Sequence, residues 1–266
     1  MKGMVDIHAH ILPNVDDGPD SWEAALETVR LAAQDGITDI VSTSHMLPDG
    51  AYANRRSTLL PLVDELRRRV AAEGIPINVH VGGEVYLTPE VGQAVKAGDL
   101  LTYCDAGRYI LVELPAGEFP SYAEHALFDL QLAGVTPIIA HPERNRDIID
   151  DPSRLLDLVE RGILVQVTAS SLRATPYMAT AELLIRHRAV HFVASDTHGP
   201  DRRPPRLSSY IDILSQLAGE GAARQLLVEN PRRVIEGADI EPEPVIPLRK
   251  APARRPFFLR RLGGRR

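Results

Sequence analysis

Residues that commonly bind divalent metals stand close together near the start of the chain. His8 and His10 end a short apolar run, and the segment PNVDDGP, with two adjacent carboxylates, follows. Imidazole and carboxylate groups are the usual protein ligands of catalytic metal ions. Two histidines alone cannot hold such an ion, so other parts of the chain must supply further ligands. The DDG segment leaves two interpretations open, a simple Asx-type turn or a carboxylate that reaches the metals.

The same residue types recur at the ends of predicted strands. Eight of them follow six short apolar segments: His8, His10, His45, Glu84, Glu113, His141, Asp196 and His198. One histidine at a strand end is more often a hydrogen-bonded structural residue, but repetition at six ends favours a metal site. Imidazole and carboxylate without thiolate favour Mn²⁺, Fe²⁺ or Zn²⁺ in a catalytic site. These ligands exceed the needs of one ion, so we expect two or three, an arrangement suited to phosphoryl displacement.

Two arginines accompany these ligands in the sequence. Arg144 lies three residues after His141, and Arg203 lies seven residues after Asp196. Either arginine taken alone would be interpreted as a surface ion pair. Beside a metal cluster, their planar guanidinium groups predict phosphate binding. The adjacent Arg202 could replace Arg203 in this role.

The elements that must position these residues alternate between strand and helix. Strands are predicted at 4–8, 37–43, 77–82, 109–114, 135–140, 163–168 and 190–195, each a short and continuously apolar run. Such runs are typical of parallel strands buried on both faces. About seven βα units predict a closed or nearly closed (β/α) barrel, in which all carboxyl ends meet on one face. A doubly wound sheet is the alternative, but no glycine-rich dinucleotide loop follows the first strand.

Composition is that of a soluble globular protein, with 44% hydrophobic and 25% charged residues in a chain of 266. We find no apolar run near 18 residues and no secretory signal pattern, so a cytoplasmic location is expected. The single cysteine, Cys104, excludes an internal disulfide and fits a reducing compartment. Its sequence neighbours do not resemble those of an activated thiol, so an inert side chain is expected.

The charge is distributed unevenly along the chain. Residues 249–266 contain eight of the 30 basic residues and no acidic one, which leaves 22 basic against 36 acidic residues, or −14, in the body. This acidic body argues against nucleic-acid binding. We therefore predict one domain at 1–245 and a disordered basic tail at 246–266. The tail is expected to solubilise the protein, to contact an anionic membrane surface weakly, or to contact the acidic body.

The motifs DIHAHILP, DDGP, STSH, GGE, VEL, HPER and SDTHGPDRRPPRL occur in this order. Together they resemble the polymerase and histidinol phosphatase (PHP) superfamily. Within it, the chain is similar to the bacterial manganese-dependent protein tyrosine phosphatases of capsule and exopolysaccharide synthesis. The likeness runs over residues 4–231, and the longer motifs are specific, whereas DxHxH alone indicates only the superfamily.

This resemblance implies a distorted (β/α)₇ TIM-like barrel with three divalent ions, foremost Mn²⁺, with Fe²⁺ or Zn²⁺ as alternatives. It implies three ligand sets: His8, His10, Glu84 and Asp196 for the first ion; Glu84, Glu113 and His141 for the second; Asp17, His45 and His198 for the third. Arg144 and Arg203 match the phosphate-binding arginines of the family. Every ligand position is present, so a degenerate copy is not expected.

The resemblance also implies a reaction and a substrate. A metal-bridging hydroxide would attack phosphorus directly, and the chain has no Cys-x₅-Arg loop for a covalent route. The substrate would be phosphotyrosine on a tyrosine kinase that regulates polysaccharide export, at the inner face of the membrane. One rival is a small-molecule phosphatase such as histidinol phosphatase. The other is a metal-bound interaction module of a polysaccharide assembly complex, without turnover.

Overall fold

The computed structural model describes residues 1–50, 52–115, 117–173 and 175–248. Of the predicted tail at 246–266, residues 249–266, which hold its basic residues and the predicted membrane contact, lie outside the described residues. Within those ranges, no helix is long and apolar enough to cross a bilayer.

The strands form two parallel sheets. The smaller sheet has the order β1-β2-β4 and the larger one the order β3-β5-β6-β7-β8-β9. The bounds are β1 Met4–Ala9, β2 Ile37–Ser42, β3 His45–Met46, β4 Asn78–Val81, β5 Glu84–Tyr86, β6 Tyr109–Glu113, β7 Thr136–Ala140, β8 Leu164–Thr168 and β9 Phe192–Ala194. All seven predicted strands are confirmed. The strand order follows the chain order without the reversal that marks a doubly wound sheet.

Two strands that the sequence did not predict connect the sheets. Strand β3 begins three residues after β2, and β5 begins three residues after β4. Because β2 pairs with β4 and β3 pairs with β5, each chain segment contributes to both sheets in turn. The break in pairing falls at Thr43–Ser44 and Gly82–Gly83. A Cβ on Gly83 would lie 2.6 Å from the sulfur of Met46, so a larger residue there would force the Met46 side chain to move.

The first and last strands also lie side by side. A parallel bridge joins Ala9 to Thr197, and the amide of His10 donates to the Thr197 carbonyl at 2.9 Å. The Asp196 amide donates to the His8 carbonyl at 2.8 Å. These contacts bring the carboxyl ends of β1 and β9 together, although 186 residues separate His10 and Asp196 in the sequence.

Ten α-helices occur in the described ranges. Their bounds are α1 Trp22–Gln34, α2 Arg56–Ala72, α3 Val91–Ala97, α4 Ala123–Leu132, α5 Arg146–Asp150, α6 Ser153–Glu160, α7 Met178–Arg186, α8 Ile211–Ala218, α9 Glu220–Arg224 and α10 Asn230–Glu236. A π-helical segment, Gln225–Glu229, joins α9 to α10. The hydroxyl of Ser21 caps α1 by accepting from the Ala24 amide at 3.3 Å, which satisfies one amide of the first turn.

The strands are buried on both faces, as their apolar runs predict. Every residue of β1 and β8 is buried. One apolar cluster lies between helices and strands, while a second contains strand side chains such as Val5, Ile7 and Leu111. Tyr103 belongs to the second cluster, and its hydroxyl donates to the carbonyl of Ile7 at 3.0 Å. This packing fixes the strand backbone directly before His8, so the ligand-type residues start from rigid positions.

Candidate metal centre

All nine ligand-type residues implied by the resemblance meet in one cluster. His8 and Glu113 lie at the carboxyl ends of their strands, whereas His45 and Glu84 begin β3 and β5, directly after β2 and β4 end. Their side chains form four overlapping groups in which the candidate donor atoms lie within 4.8 Å of one another. The groups are His8, His10 and Asp196; His8, Glu84 and His141; His45, Glu84 and Glu113; and His10, Asp17, His45 and His198. The overlap means that the cluster is continuous rather than a set of separate sites.

The first part of the cluster is built around two facing imidazole nitrogens. The Nε2 atoms of His8 and His10 lie 3.3 Å apart. Glu84 Oε2 lies 3.4 Å and 3.3 Å from these two atoms, and Asp196 Oδ1 lies 3.6 Å and 3.7 Å away. Two ring nitrogens and two carboxylate oxygens therefore surround one small volume. This donor set fits a divalent cation.

Glu84 is the centre of the second part. Its side chain is fully buried, and Oε1 lies 2.9 Å from His141 Nε2 while Oε2 lies 3.0 Å from His45 Nδ1. Among the described residues, Oε2 has no hydrogen-bond partner of acceptable geometry. Glu113 completes this side at 3.8 Å from His45 and 3.9 Å from His141. A buried carboxylate between several imidazoles is suited to bridging two ions.

The third part lies nearer to solvent. Asp17 Oδ1 lies 3.1 Å from His198 Nε2 and 3.6 Å from His45 Nε2. The ring of Tyr52 stacks on His45, with centroids 5.5 Å apart and planes 12° apart. The structure also brings His10 into this group, whereas the resemblance implied His10 only for the first ion.

Two residues outside the predicted ligand set orient the histidines. Gln166 Oε1 lies 2.9 Å from His8 Nδ1, and Asp16 Oδ2 lies 2.9 Å from His10 Nδ1. Since these oxygens accept hydrogen bonds from Nδ1–H, each histidine presents an unprotonated Nε2 to the cluster when its ring is neutral. Partners of this kind fix the ring and tautomer of metal-binding histidines.

The DDG segment forms an Asx-type turn and also directs a carboxylate to the candidate metal centre, so both sequence interpretations apply. Asp16 accepts from the Gly18 amide at 3.0 Å, which is an Asx-type turn, and also from the His45 amide at 3.2 Å. Asp17, one residue later, faces the histidines of the third part. The sequence signal that could have identified Gln166 as a supporting residue is its place as a polar residue near the end of a predicted strand. The resemblance implied Asp17 as the ligand, but no pattern in the sequence indicated that Asp16 would orient His10.

Opposing charges determine the titration of the buried carboxylates. Burial would raise the pKa of Asp196, but the charges of His8 and Arg144 outweigh it and hold that pKa well below its usual range. Burial and the neighbouring charge of Glu84 raise the pKa of Glu113. Repulsion between carboxylates is therefore built into the cluster, and bound cations would relieve it.

Both predicted arginines reach the cluster through Asp196. The Arg144 guanidinium donates to Asp196 Oδ2 at 2.7 Å. Arg203 donates to the same carboxylate and to the Asp196 carbonyl, the latter at 2.9 Å. Their side chains are 26% and 28% exposed, so each joins a buried ligand to solvent. Arg202 is exposed and makes no ion pair within the described residues, which makes Arg203 the better match for the predicted role.

Among the described residues, the four remaining histidines, His80, His125, His187 and His191, lie outside the metal-type groups. His80 Nε2 pairs with Asp39 at 3.0 Å, and the Val165 amide donates to His191 Nδ1 at 3.1 Å. Cys104, for which the sequence predicts an inert side chain, lies near one of these histidines. Its sulfur lies 3.9 Å from His80 Nδ1, because the turn after Leu101 folds back onto β4.

The chain is similar to bacterial proteins named as tyrosine phosphatases. Tyrosine-protein phosphatase YwqE of Bacillus subtilis (strain 168) is 36% identical over 250 residues, which cover 93% of this chain and 97% of the relative. Putative tyrosine-protein phosphatase CapC of Staphylococcus aureus is 37% identical over 204 residues, 76% of this chain and 79% of the relative.

The chain is also similar to a solved structure. That structure belongs to work described as crystal structures of YwqE from Bacillus subtilis and CpsB from Streptococcus pneumoniae, unique metal-dependent tyrosine phosphatases. It superposes with a TM-score of 0.87 at 36% identity and covers 93% of this chain and 100% of that chain.

The parallel strands, the helices between them and the histidine–carboxylate cluster at the strand ends define a protein of the PHP type. The model of the family described as capsular polysaccharide synthesis, CpsB/CapC, matches residues 4–236. The chain belongs to the CpsB/CapC family. The resemblance drawn from the sequence motifs is confirmed.

Proposed function

We propose that the protein is a metal-dependent protein tyrosine phosphatase, a phosphoric monoester hydrolase of capsule or exopolysaccharide synthesis. The observation that carries the proposal is the complete cluster, in which nine ligand-type side chains and two arginines surround one site. The names of the relatives support the same activity. The substrate would be phosphotyrosine on a bacterial tyrosine kinase that regulates polysaccharide synthesis.

The two sheets would together form a distorted (β/α)₇ barrel within one domain, residues 1–245. Counting β2 with β3 and β4 with β5 gives seven strand paths, and the Ala9–Thr197 bridge supports contact between the first and seventh. Carboxyl ends of barrel strands carry the active site in enzymes of this architecture. The position of the cluster beside the ends of β1, β6 and β9 supports this proposal.

Three divalent ions would occupy the cluster, and Mn²⁺ is the metal we propose, with Fe²⁺ and Zn²⁺ as alternatives. The first ion would be held by His8, His10, Glu84 and Asp196; the second by Glu84, Glu113 and His141; the third by Asp17, His45 and His198. When bound, the ions would supply Lewis acidity and an activated water for phosphate ester hydrolysis.

The residues of the chain would bind and orient the phosphate. Arg144 and Arg203 approach from one side and share Asp196, which keeps both guanidinium groups beside the ligand cluster. Their remaining N–H groups can donate to phosphoryl oxygens and stabilise the charge that develops there. Asp16 and Gln166 would keep Nε2 of His10 and His8 directed at the cluster.

A small-molecule phosphatase of histidinol phosphatase type would use the same chemistry, and an interaction module would use none. We would measure metal content together with turnover of a phosphotyrosine peptide and of histidinol phosphate by the manganese-loaded protein. Faster turnover of the peptide supports the proposal, and faster turnover of histidinol phosphate selects the small-molecule function. If the protein hydrolyses neither substrate, the interaction module is the function that remains. Glu84→Gln should abolish activity and reduce metal content, and full activity in that variant would contradict the assignment.

The location of the substrate suggests a role for the tail. A membrane-bound kinase would place the enzyme at the inner face of the membrane, and the eight basic residues of 249–266 would give weak contact with anionic lipids. The mixture of basic residues with Phe257 and Phe258 supports this contact.

A further inference from the structure

A cavity lined by several arginines lies beside the candidate metal centre. The cavity, of about 290 Å³, opens at the carboxyl ends of β8 and β9. Four arginines line it: Arg173, Arg202, Arg203 and Arg206. No Asp or Glu is among its lining residues. We refer to this cavity as the arginine pocket.

The arginine pocket stands out against the rest of the protein. The described ranges contain 20 arginines, of which 14 form an ion pair with a carboxylate. Three of the remaining six line this one cavity: Arg173, Arg202 and Arg206. The body of the protein carries a net charge of −14 by sequence, so carboxylates are abundant. Within the described residues these three guanidinium groups, which lie beside the candidate metal centre, have no acidic partner, so an anion from outside the chain can pair with them.

The local structure holds part of the arginine pocket in place. Arg173 donates to the Ser209 carbonyl at 2.5 Å and lies over the ring of Tyr210, with its Cζ 4.8 Å from the centroid. Arg202 and Arg206 are exposed and have no side-chain hydrogen bond within the described residues. One wall is therefore ordered by protein contacts, while two guanidinium groups keep their donors available.

Arg203 connects the arginine pocket to the candidate metal centre. It lines the pocket and also donates to Asp196, which belongs to the first metal-type group. A ligand whose phosphate lies at the metal centre can therefore place a second group in the arginine pocket without crossing the protein. Arginine forks suit both phosphate and carboxylate oxygens.

We propose that the arginine pocket is a substrate subsite that binds a second anionic group on the same polypeptide as the phosphotyrosine being hydrolysed. This inference rests on the proposed phosphatase function and specifies its substrate as a polyanionic peptide segment. The second group is either an acidic side chain or another phosphate. Subsite binding lowers the KM and the Kd of such peptides and leaves the phosphate chemistry to the metal centre.

Three phosphotyrosine peptides of equal length test the proposal with the manganese-loaded full chain. In the first peptide glutamine flanks the phosphotyrosine, in the second glutamate replaces the glutamine, and in the third a second phosphotyrosine stands nearby. We expect KM to be roughly tenfold lower for one or both anionic peptides, as for a pair of ionic contacts at a protein surface. The second and third peptides distinguish carboxylate from phosphate as the favoured group. The preference should weaken as salt is added.

The variant R202Q/R206Q should reduce the preference to less than about twofold, since glutamine retains a polar side chain but removes the charge. The matched control is Arg68→Gln, which removes an exposed arginine on α2 and should keep the wild-type preference. Equal KM values for all three peptides in the wild type would overturn the subsite, as would an unchanged preference in R202Q/R206Q. Fluorescence anisotropy of the same labelled peptides measures Kd directly. These Kd values test the subsite even if the enzyme hydrolyses none of the three peptides. Failure to hydrolyse any of them would contradict the phosphatase function and not the subsite.

Discussion

The role of Asp16 gives the sharpest test of how the metal centre is ordered. Asp16 is fully buried at its side chain and accepts from His10 Nδ1 at 2.9 Å, from the Gly18 amide at 3.0 Å and from the His45 amide at 3.2 Å. We expect Asp16→Asn to weaken Mn²⁺ binding. One amide oxygen can replace Oδ1 opposite Gly18, but an NH₂ group then faces His10 and His45, which both present N–H donors.

The size of the expected loss of Mn²⁺ affinity follows from this mismatch of hydrogen-bond donors. His10 can accept from the new NH₂ group only if its proton moves to Nε2, the atom that faces the cluster. Hydrogen bonds to charged groups contribute about 1.5–3 kcal/mol, and loss of a residue that orients a metal-binding histidine costs about 10- to 100-fold in affinity. The Mn²⁺ concentration for half-maximal activity should therefore rise about 10- to 100-fold.

The assay is a Mn²⁺ titration of phosphotyrosine-peptide hydrolysis, with metal content measured on the same samples. Asp20→Asn is the matched control, because Asp20 lies in the same loop and is exposed. Among the described residues, it accepts a hydrogen bond only through its backbone carbonyl. A titration curve for Asp16→Asn that coincides with the wild-type curve would refute the orienting role. An equal shift in Asp20→Asn would attribute the effect to the loop as a whole.

Four further outcomes are expected. Arg144→Ala should lower turnover or substrate affinity at unchanged metal content, and Arg144→Lys should retain only part of the wild-type activity. Wild-type kinetics in Arg144→Ala would make Arg144 a surface residue without a role in phosphate binding. Chelation should lower the melting temperature, because the buried carboxylates repel each other once the metal ions are removed. An unchanged melting curve would exclude a structural contribution from the metal. Hydrogen bonding to Asp39 raises the pKa of His80 to about 9, so this pair stabilises the fold below pH 6.5 and loses its effect through pH 9. His80→Gln should therefore destabilise more at pH 6 than at pH 10 in urea unfolding, and a pH-independent difference would contradict the linkage. The full chain should sediment with anionic vesicles at low salt, and truncation after Leu248 should abolish this; equal sedimentation of both would remove the membrane contact.

The sequence by itself determined the parallel α/β organisation and most of the metal centre. Apolar runs of fixed length identify buried strands, and parallel strands bring their carboxyl ends together. His8, Glu113 and His141 could therefore be assigned to one site without coordinates. Their positions depend on where each strand ends, which is a local property of the chain.

Only the tertiary structure decided which side chains support that site. Gln166 orients His8 across 158 residues, and Asp16 rather than Asp17 orients His10. The sequence likewise predicted neither the approach of His80 to Cys104 nor the gathering of Arg173 with Arg206 in one cavity. Each of these contacts depends on the register between strands or on the path of a loop. Register is fixed by packing between distant elements, and the hydrophobic pattern of a single segment does not contain it.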